Sequence, residues 1–211
     1  MEIIEALEWR YAVKKFDNTR KVPDEKLKVI LEALRLTATS YGLQLMKFVV
    51  VEDPAARAKL VEAAYQQKQV QDASHLIILC RNNEVSEKDI EEYIQNISNT
   101  RAVETSSPGL EAFKKGMLNI LEWPESRREN WMINQIYIAL GTLLTTCAIE
   151  KIDACPMEGF IPHEVDEILA LEKENLNAVL ICPIGYRSPD DHHQSNKKVR
   201  KAEEDIILHW S

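Results

Sequence analysis

Glycine is scarce in this chain. Only six glycines occur among 211 residues, and no two have the spacing of a GxGxxG or GxxxxGK[ST] loop. Such loops wrap backbone N–H groups around phosphates, so their absence excludes a Rossmann fingerprint and a P-loop. A GxSxG elbow and an HExxH zinc motif are missing as well. Any phosphate that this protein binds must therefore be held by side chains.

Cysteine and long apolar runs are also sparse. The four cysteines lie in apolar stretches such as HLIILC and AVLIC, without CxxC spacing, which is typical of buried thiols in a reducing cytoplasm. A disulfide or a metal pair has no local support. No window approaches the ~18 apolar residues of a spanning helix, and MEIIEALEWR carries acids before its first base, unlike a secretory signal. We expect a cytoplasmic protein without a membrane anchor.

Positive charge is in deficit. Lys and Arg number 26 against 34 Asp and Glu, which gives a net charge of -8 and argues against a nucleic-acid surface covering the molecule. Hydrophobic residues make up 45% and charged residues 28%, the balance of a soluble globular protein. The length predicts one domain spanning residues 1–211. Any anion site must be local.

Helical and strand patterns alternate along the chain. The run at 131–152 would place apolar residues on nearly every face of a helix, which predicts a central helix buried all round. Interspersed helices and apolar strands indicate an α/β or α+β protein, with a central sheet and a helical layer on each side. We predict helices at 2–9, 22–37, from 54 onward, at 86–98, at 131–152 and at 163–171, and strands at 47–52, 75–80, 153–156 and 177–186.

Two basic clusters stand at opposite ends of the chain, RYAVKKF at 10–16 and NKKVRK at 196–201. Each cluster alone would be read as a solvated face, but together they are candidates for a side-chain anion site. DDHH at 190–193 has the composition of metal ligands. Adjacent residues in a polar loop rarely converge on one ion, so we expect no metal site there.

Five stretches resemble, in order, motifs of the FMN-dependent nitroreductase family, the oxygen-insensitive flavoproteins that reduce nitro compounds, quinones and related acceptors with NAD(P)H. Each motif alone is weakly specific, but the order and spacing extend along nearly the whole chain. The stretches are RYAVKKF, ATSYGLQLMKFVVVED, QVQDASHLIILC, PMEGF and KKVRK.

The resemblance implies an α+β fold with a central, mostly antiparallel sheet flanked by helices and a long buried central helix. Two identical chains would build two FMN sites at their interface. The apolar run in the C-terminal segment 202–211 could pair with a sheet edge or form an arm to the partner chain.

The resemblance also assigns roles to the basic residues. Arg10 and Arg200 would meet the FMN phosphate, with Lys198 beside it, because a planar guanidinium binds two phosphate oxygens together. Lys14 would lie at the N1 and C2 edge of the flavin and act as the catalytic residue, stabilising negative charge where it develops.

Other cofactor contacts implied by the resemblance fall on four segments. The turn formed by Pro156, Met157, Glu158 and Gly159 would border flavin N5. Gln66 and Gln69 would line the pyrimidine side, and Tyr11 and Ala12 would contact the cofactor beside Arg10. The small-residue loop with Thr39, Ser40 and Gly42 would reach the flavin of the partner chain.

Four features depart from the family pattern. Tyr11 and Ala12 replace a basic residue and a serine, so Ala12 offers only its backbone. QLM at 44–46 replaces Q-P-W, which keeps the amide and loses the indole. Gln69 is neutral where some relatives have a second cation, and Gly42 stands in place of a frequent Asn.

The implied reaction is ping-pong. NADH or NADPH binds transiently, passes hydride to FMN and leaves, and a small-molecule electron acceptor takes its place. Met117 and its neighbours in the loosely patterned segment 105–130 would cover the open face, or pack as an ordinary surface helix. The alternatives are a flavin-binding carrier or sensor homodimer without useful turnover, and a related reductase acting on enones or pteridines.

Overall fold

A computed structural model describes residues 2–210 and contains a four-stranded antiparallel sheet. The strands are β1 (Met46–Val51), β2 (His75–Asn82), β3 (Asp153–Ala154) and β4 (Leu176–Gly185), in the order β1-β2-β4-β3. β2 is buried along most of its length, as a near-continuous apolar run requires when both faces of a strand are covered. The predicted α+β class is confirmed.

Side chains of β2 alternate between two cores, because successive residues of a strand point to opposite faces. Leu76 and Ile78 join one buried cluster, and Ile77 and Leu79 join the other. The first cluster is completed by helices α3 (Pro54–Ala63), α4 (Gln69–Asp72) and α8 (Pro162–Leu169), and the second by α2 (Asp24–Arg35) and α7 (Glu125–Ile149).

The remaining helices are α1 (Ile3–Trp9), α5 (Glu87–Arg101) and α6 (Pro108–Leu118). α5 begins with a capping box in which Ser86 and Asp89 satisfy each other's backbone N–H groups. α6 continues into a 3₁₀ turn at Asn119–Glu122. Met117 and Ile120 are fully buried against α5 in a third core cluster. The Met117 side chain thus packs within its own chain, as the surface-helix alternative expects, and a covering role for the segment 105–130 stays a prediction.

The long helix α7 is only partly covered by its own chain. It is long and apolar enough to cross a membrane by length and composition, but Ile136, Ala139 and Leu143 pack in the core beneath the sheet. Tyr137 and Ile138 are exposed on its other side. Burial all round is thus wrong for the single chain, because the sheet, α1 and α2 together cover only part of the surface of α7.

The C-terminal segment does not extend the sheet. After β4 the chain forms 3₁₀ turns at His192–Ser195 and Glu203–Asp205. Ile206, Leu208 and Trp210 are exposed, Trp210 to 93%. The predicted pairing with a sheet edge is therefore wrong within residues 2–210, since no strand in that range includes the tail. Ser211 lies outside the described residues.

Candidate active site

The segment after α1 and the segment after β4 run side by side. Phe16 forms an antiparallel bridge with Arg187, the N–H of Asp17 donates to the carbonyl of Tyr186, and the N–H of Ser188 donates to the carbonyl of Lys15. Ala12 bridges Ala154 of β3. Arg187 also forms an ion pair with the buried Asp153 at 2.6 Å, and its guanidinium lies 4.2 Å from the centre of the Trp9 ring. These contacts hold the two ends of the chain together.

The two basic clusters meet in a cleft of about 530 Å³. Lys198 Nζ donates a hydrogen bond to the backbone carbonyl of Arg10, which links residues that are 188 positions apart. Six of the predicted site residues line this cleft. They are Arg10, Tyr11, Ala12, Lys14, Lys198 and Arg200.

Burial and the repulsion between the positive charges in this cleft lower the pKa values of Arg10 and Lys198. Burial lowers the pKa of Arg10, and the charge of Arg200 lowers it further. The pKa of Lys198 is lowered by burial and then by Arg10 and Arg200, with a small opposing effect of Glu8. Within residues 2–210, Arg10, Lys198 and Arg200 take part in no ion pair with a carboxylate. Such crowding fits a site for a bound anion such as a phosphate group.

Lys14 is exposed, and its ammonium group lies near a buried thiol. Its Nζ lies 4.0 Å from Sγ of Cys155. Burial raises the pKa of Cys155, whereas the charge of Lys14 and a hydrogen bond involving Gln69 oppose that rise. Gln69 is itself buried. Lys14 and Gln69 therefore both lie next to Cys155, the residue that leads into the turn at 156–159.

The turn at 156–159 is held by hydrogen bonds from two elements. Gln67 Nε2 donates to the carbonyl of Gly159 at 2.8 Å, and Tyr137 Oη of α7 donates to Glu158 Oε1 at 2.5 Å. Met157 is buried and bridges Ile181 of β4, and Pro156 precedes it.

Sequence reasoning named Gln66 here and missed Gln67. Gln67 Oε1 accepts a hydrogen bond from Gln69 at 3.1 Å, so the contact between the glutamines and the turn runs through Gln67. Gln66 is exposed and has a left-handed backbone with φ of 62°. Gln66, Gln67 and Gln69 lie within four positions, and the sequence has no signal that shows which of them contacts the turn.

The loop at 39–42 lies apart from the residues that line the cleft. The N–H of Ser40 donates to Gln135 Oε1 of α7 at 2.8 Å, and Thr39 Oγ1 accepts from the N–H of Gln44. Gly42 has φ of 79°, and a Cβ there would lie 2.2 Å from the hydroxyl of Tyr93. The backbone conformation at 42 therefore favours glycine, and a larger residue there would displace the Tyr93 side chain. A role for Thr39, Ser40 and Gly42 in a partner's site stays a prediction.

Asp191 was missed as a site residue. It is 2% exposed and accepts a hydrogen bond from Tyr11 Oη at 3.1 Å. Burial raises the pKa of Tyr11, and the charge of Asp191 raises it further. The neighbouring Asp190 is exposed, so composition alone could not tell the two apart. Across residues 2–210 no group of three His, Cys, Asp or Glu is placed to hold a metal.

Comparison with known proteins identifies the family. Residues 7–186 match the family described as "Nitroreductase family". This chain belongs to the nitroreductase family. It is 34% identical to a provisionally named NAD(P)H nitroreductase of Staphylococcus epidermidis, over 97% of this chain and 95% of that protein. It is also 34% identical to the major NAD(P)H-flavin oxidoreductase of Aliivibrio fischeri, over 97% of each chain.

Solved structures share the nitroreductase fold. A provisionally named nitroreductase of Bacillus subtilis superposes with a TM-score of 0.87 at 18% identity, covering 99% of each chain. One from Exiguobacterium sibiricum, solved in complex with FMN, superposes with a TM-score of 0.82 at 19% identity, covering 100% of this chain and 98% of that one. The resemblance seen in the sequence motifs is thereby confirmed for family and fold.

Proposed function

We propose that this chain is an FMN-dependent oxidoreductase that uses NADH or NADPH to reduce small-molecule acceptors such as nitro compounds or quinones. The observation that carries the proposal is the meeting of Arg10, Lys198 and Arg200 in one cleft, from the two ends of the chain. Membership of the nitroreductase family and the names of the relatives agree with an NAD(P)H-dependent flavoprotein.

The residues present fit FMN. Arg10 and Arg200 would bind the phosphate oxygens, and Lys198 would add a third charge. Lys14 would stabilise negative charge at the pyrimidine edge of the ring. FMN, when bound, supplies N5 as the atom that accepts and returns a hydride. Backbone N–H groups of the turn at 156–159 would border that atom, and NAD(P)H would bind only transiently because the chain has no glycine-rich loop.

We also propose that the active form is a homodimer. α1 and α7 each leave apolar side chains exposed, which a second copy of the chain would cover. The loop at 39–42 would then reach the partner's FMN, and the exposed tail at 202–211 would form an arm. The apolar side chains are Ile3, Ile4, Leu7, Tyr137, Ile138 and Ile149.

The cysteines support a cytoplasmic location. Cys80, Cys147, Cys155 and Cys182 are all buried free thiols. Burial raises the pKa of Cys80 to about 12, so this thiol stays protonated and unreactive. Free thiols of this kind are typical of a reducing compartment.

The spectrum of the purified protein tests the proposed function. We expect a flavin absorption band that bleaches on anaerobic mixing with NADH or NADPH and returns when a quinone or nitro compound is added. Initial rates at several acceptor concentrations should give parallel double-reciprocal lines, as in a ping-pong reaction. A band that persists after both nucleotides would support a carrier or sensor and contradict the enzyme.

Lys14 is expected to set the flavin potential. Lys14→Met should lower the midpoint potential by roughly tens of millivolts, because one fixed positive charge near the reduced ring is lost. Equilibrium titration against a redox dye measures the change. Lys15→Met is the matched control, since Lys15 is exposed and pairs with Asp190. Equal potentials in the Lys14 variant and the wild type would remove Lys14 from this role.

A further inference from the structure

A buried carboxylate lies between the two segments that build the cleft. Asp191 Oδ2 accepts hydrogen bonds from the backbone N–H groups of Lys14 at 2.8 Å and Lys15 at 3.2 Å, and from Tyr11 Oη at 3.1 Å. Asp191 Oδ1 accepts from the N–H of His193 at 3.0 Å and lies 3.0 Å from its Nδ1. One side chain thus contacts four residues that line the cleft or adjoin it.

The carboxylate is ionised at neutral pH. Burial raises the pKa of Asp191, but hydrogen bonds from the backbone N–H groups of Lys14 and His193 outweigh this effect and lower it to about 2. A buried negative charge therefore lies at the backbone N–H groups of residues 14, 15 and 193. It forms no ion pair with Arg10, Lys198 or Arg200.

Three of these contacts fall on the short segment that carries Arg10 and Lys14. The backbone N–H groups at 14 and 15 point at one oxygen, which fixes the direction in which residues 10–14 cross the cleft. The contact to His193 fixes the start of the segment that ends in Lys198 and Arg200. Asp191 is thus bonded to both halves of the anion site.

We propose that Asp191 is a positioning residue for the cofactor phosphate, which holds Arg10 and Lys14 in register with Lys198 and Arg200. This inference rests on the proposed function, because it takes the phosphate of FMN as the anion. Asp191 itself does not touch the phosphate in this account. It acts through the backbone that it binds.

An amide cannot replace this carboxylate. Asparagine has one acceptor oxygen, whereas Asp191 uses both of its oxygens to accept. In Asp191→Asn the amide NH₂ takes the place of one of the two oxygens. It then faces either the donors of Lys14, Lys15 and Tyr11 or the N–H of His193, and those hydrogen bonds are lost. The buried negative charge is lost in either orientation.

Titration of the apoprotein with FMN and with riboflavin tests the proposal. Riboflavin lacks the phosphate, so a positioning role predicts a selective effect. Asp191→Asn should raise the dissociation constant for FMN about tenfold or more. It should raise that for riboflavin by a clearly smaller factor, because riboflavin shares only the ring contact with Lys14. Asp190→Asn is the matched control, because Asp190 is the adjacent, exposed aspartate, and its side chain pairs with the exposed Lys15. It should retain the wild-type values.

An unchanged ratio of the two dissociation constants in Asp191→Asn would overturn the proposal, whether both ligands bind as before or both bind equally less well. If this variant does not fold, Asp191→Glu keeps the charge and displaces it by one methylene, and the same selective loss of FMN is expected from it. A wild type that binds FMN no better than riboflavin would instead refute the proposed phosphate site. The two failures are therefore distinguishable.

Discussion

Arg200→Ala is expected to weaken FMN binding by about ten- to a hundredfold, because a charge-assisted contact to phosphate contributes ~1.5–3 kcal/mol. Arg10→Ala should have a similar effect, since Arg10 lies in the same cleft and its pKa is lowered by burial and then by Arg200. Fluorimetric titration of the apoprotein measures both. The double variant should lose most flavin during purification. Neither arginine pairs with a carboxylate within residues 2–210, so both charges are available to the phosphate and both are removed.

The control for lost positive charge is Lys201→Ala. Lys201 is exposed and adjoins the cluster in sequence, but it does not line the cleft. Its replacement should change the dissociation constant for FMN by less than about twofold. Wild-type FMN affinity in Arg200→Ala would refute the phosphate assignment. An equal loss in Lys201→Ala would show that net charge alone, and no particular site, governs binding.

Arg57→Leu is expected to lower the free energy of unfolding by roughly 3–5 kcal/mol. The Arg57 side chain is 2% exposed, and its guanidinium donates to three carbonyls where α4 ends and β2 begins. These are the carbonyls of Val70 at 3.0 Å, Ser74 at 3.0 Å and Ala73 at 2.5 Å. Burial lowers the pKa of Arg57, but the fork of donors keeps three buried acceptors satisfied. Urea unfolding followed by circular dichroism measures the loss.

Arg35→Leu is the matched surface change. Arg35 is an exposed helical arginine that pairs with Glu32 three residues earlier, an arrangement worth at most about 0.5 kcal/mol. A midpoint shift in Arg57→Leu no larger than that in Arg35→Leu would contradict the assigned role of Arg57. Arg57→Lys should fall between them, because an ammonium group cannot reach three carbonyls in one plane.

The sheet and the pairing of the chain ends could be predicted from the sequence. β2 and β4 are apolar runs bounded by polar residues, and the structure has them at 75–82 and 176–185. The meeting of RYAVKKF and KKVRK was expected from the family resemblance, and residues from both clusters line one cleft.

The remaining features depend on contacts that no local pattern encodes. Met117 is buried because α6 packs on α5, although its own segment has a loose polar pattern. A backbone turn directs Gln67 and not Gln66 to the turn at 156–159. The path of the loop after β4 likewise buries Asp191 and leaves Asp190 exposed. Exposed apolar residues on α7 can be understood only from the surface that its own sheet leaves uncovered.

A crystal structure of the protein grown with FMN tests the central claim most directly. We predict the FMN phosphate between the guanidinium groups of Arg10 and Arg200, the ring beside Lys14 and the turn at 156–159, and the loop at 39–42 of a second chain against the same flavin. FMN with its phosphate outside the cleft formed by residues 10–14 and 198–200 would contradict the account.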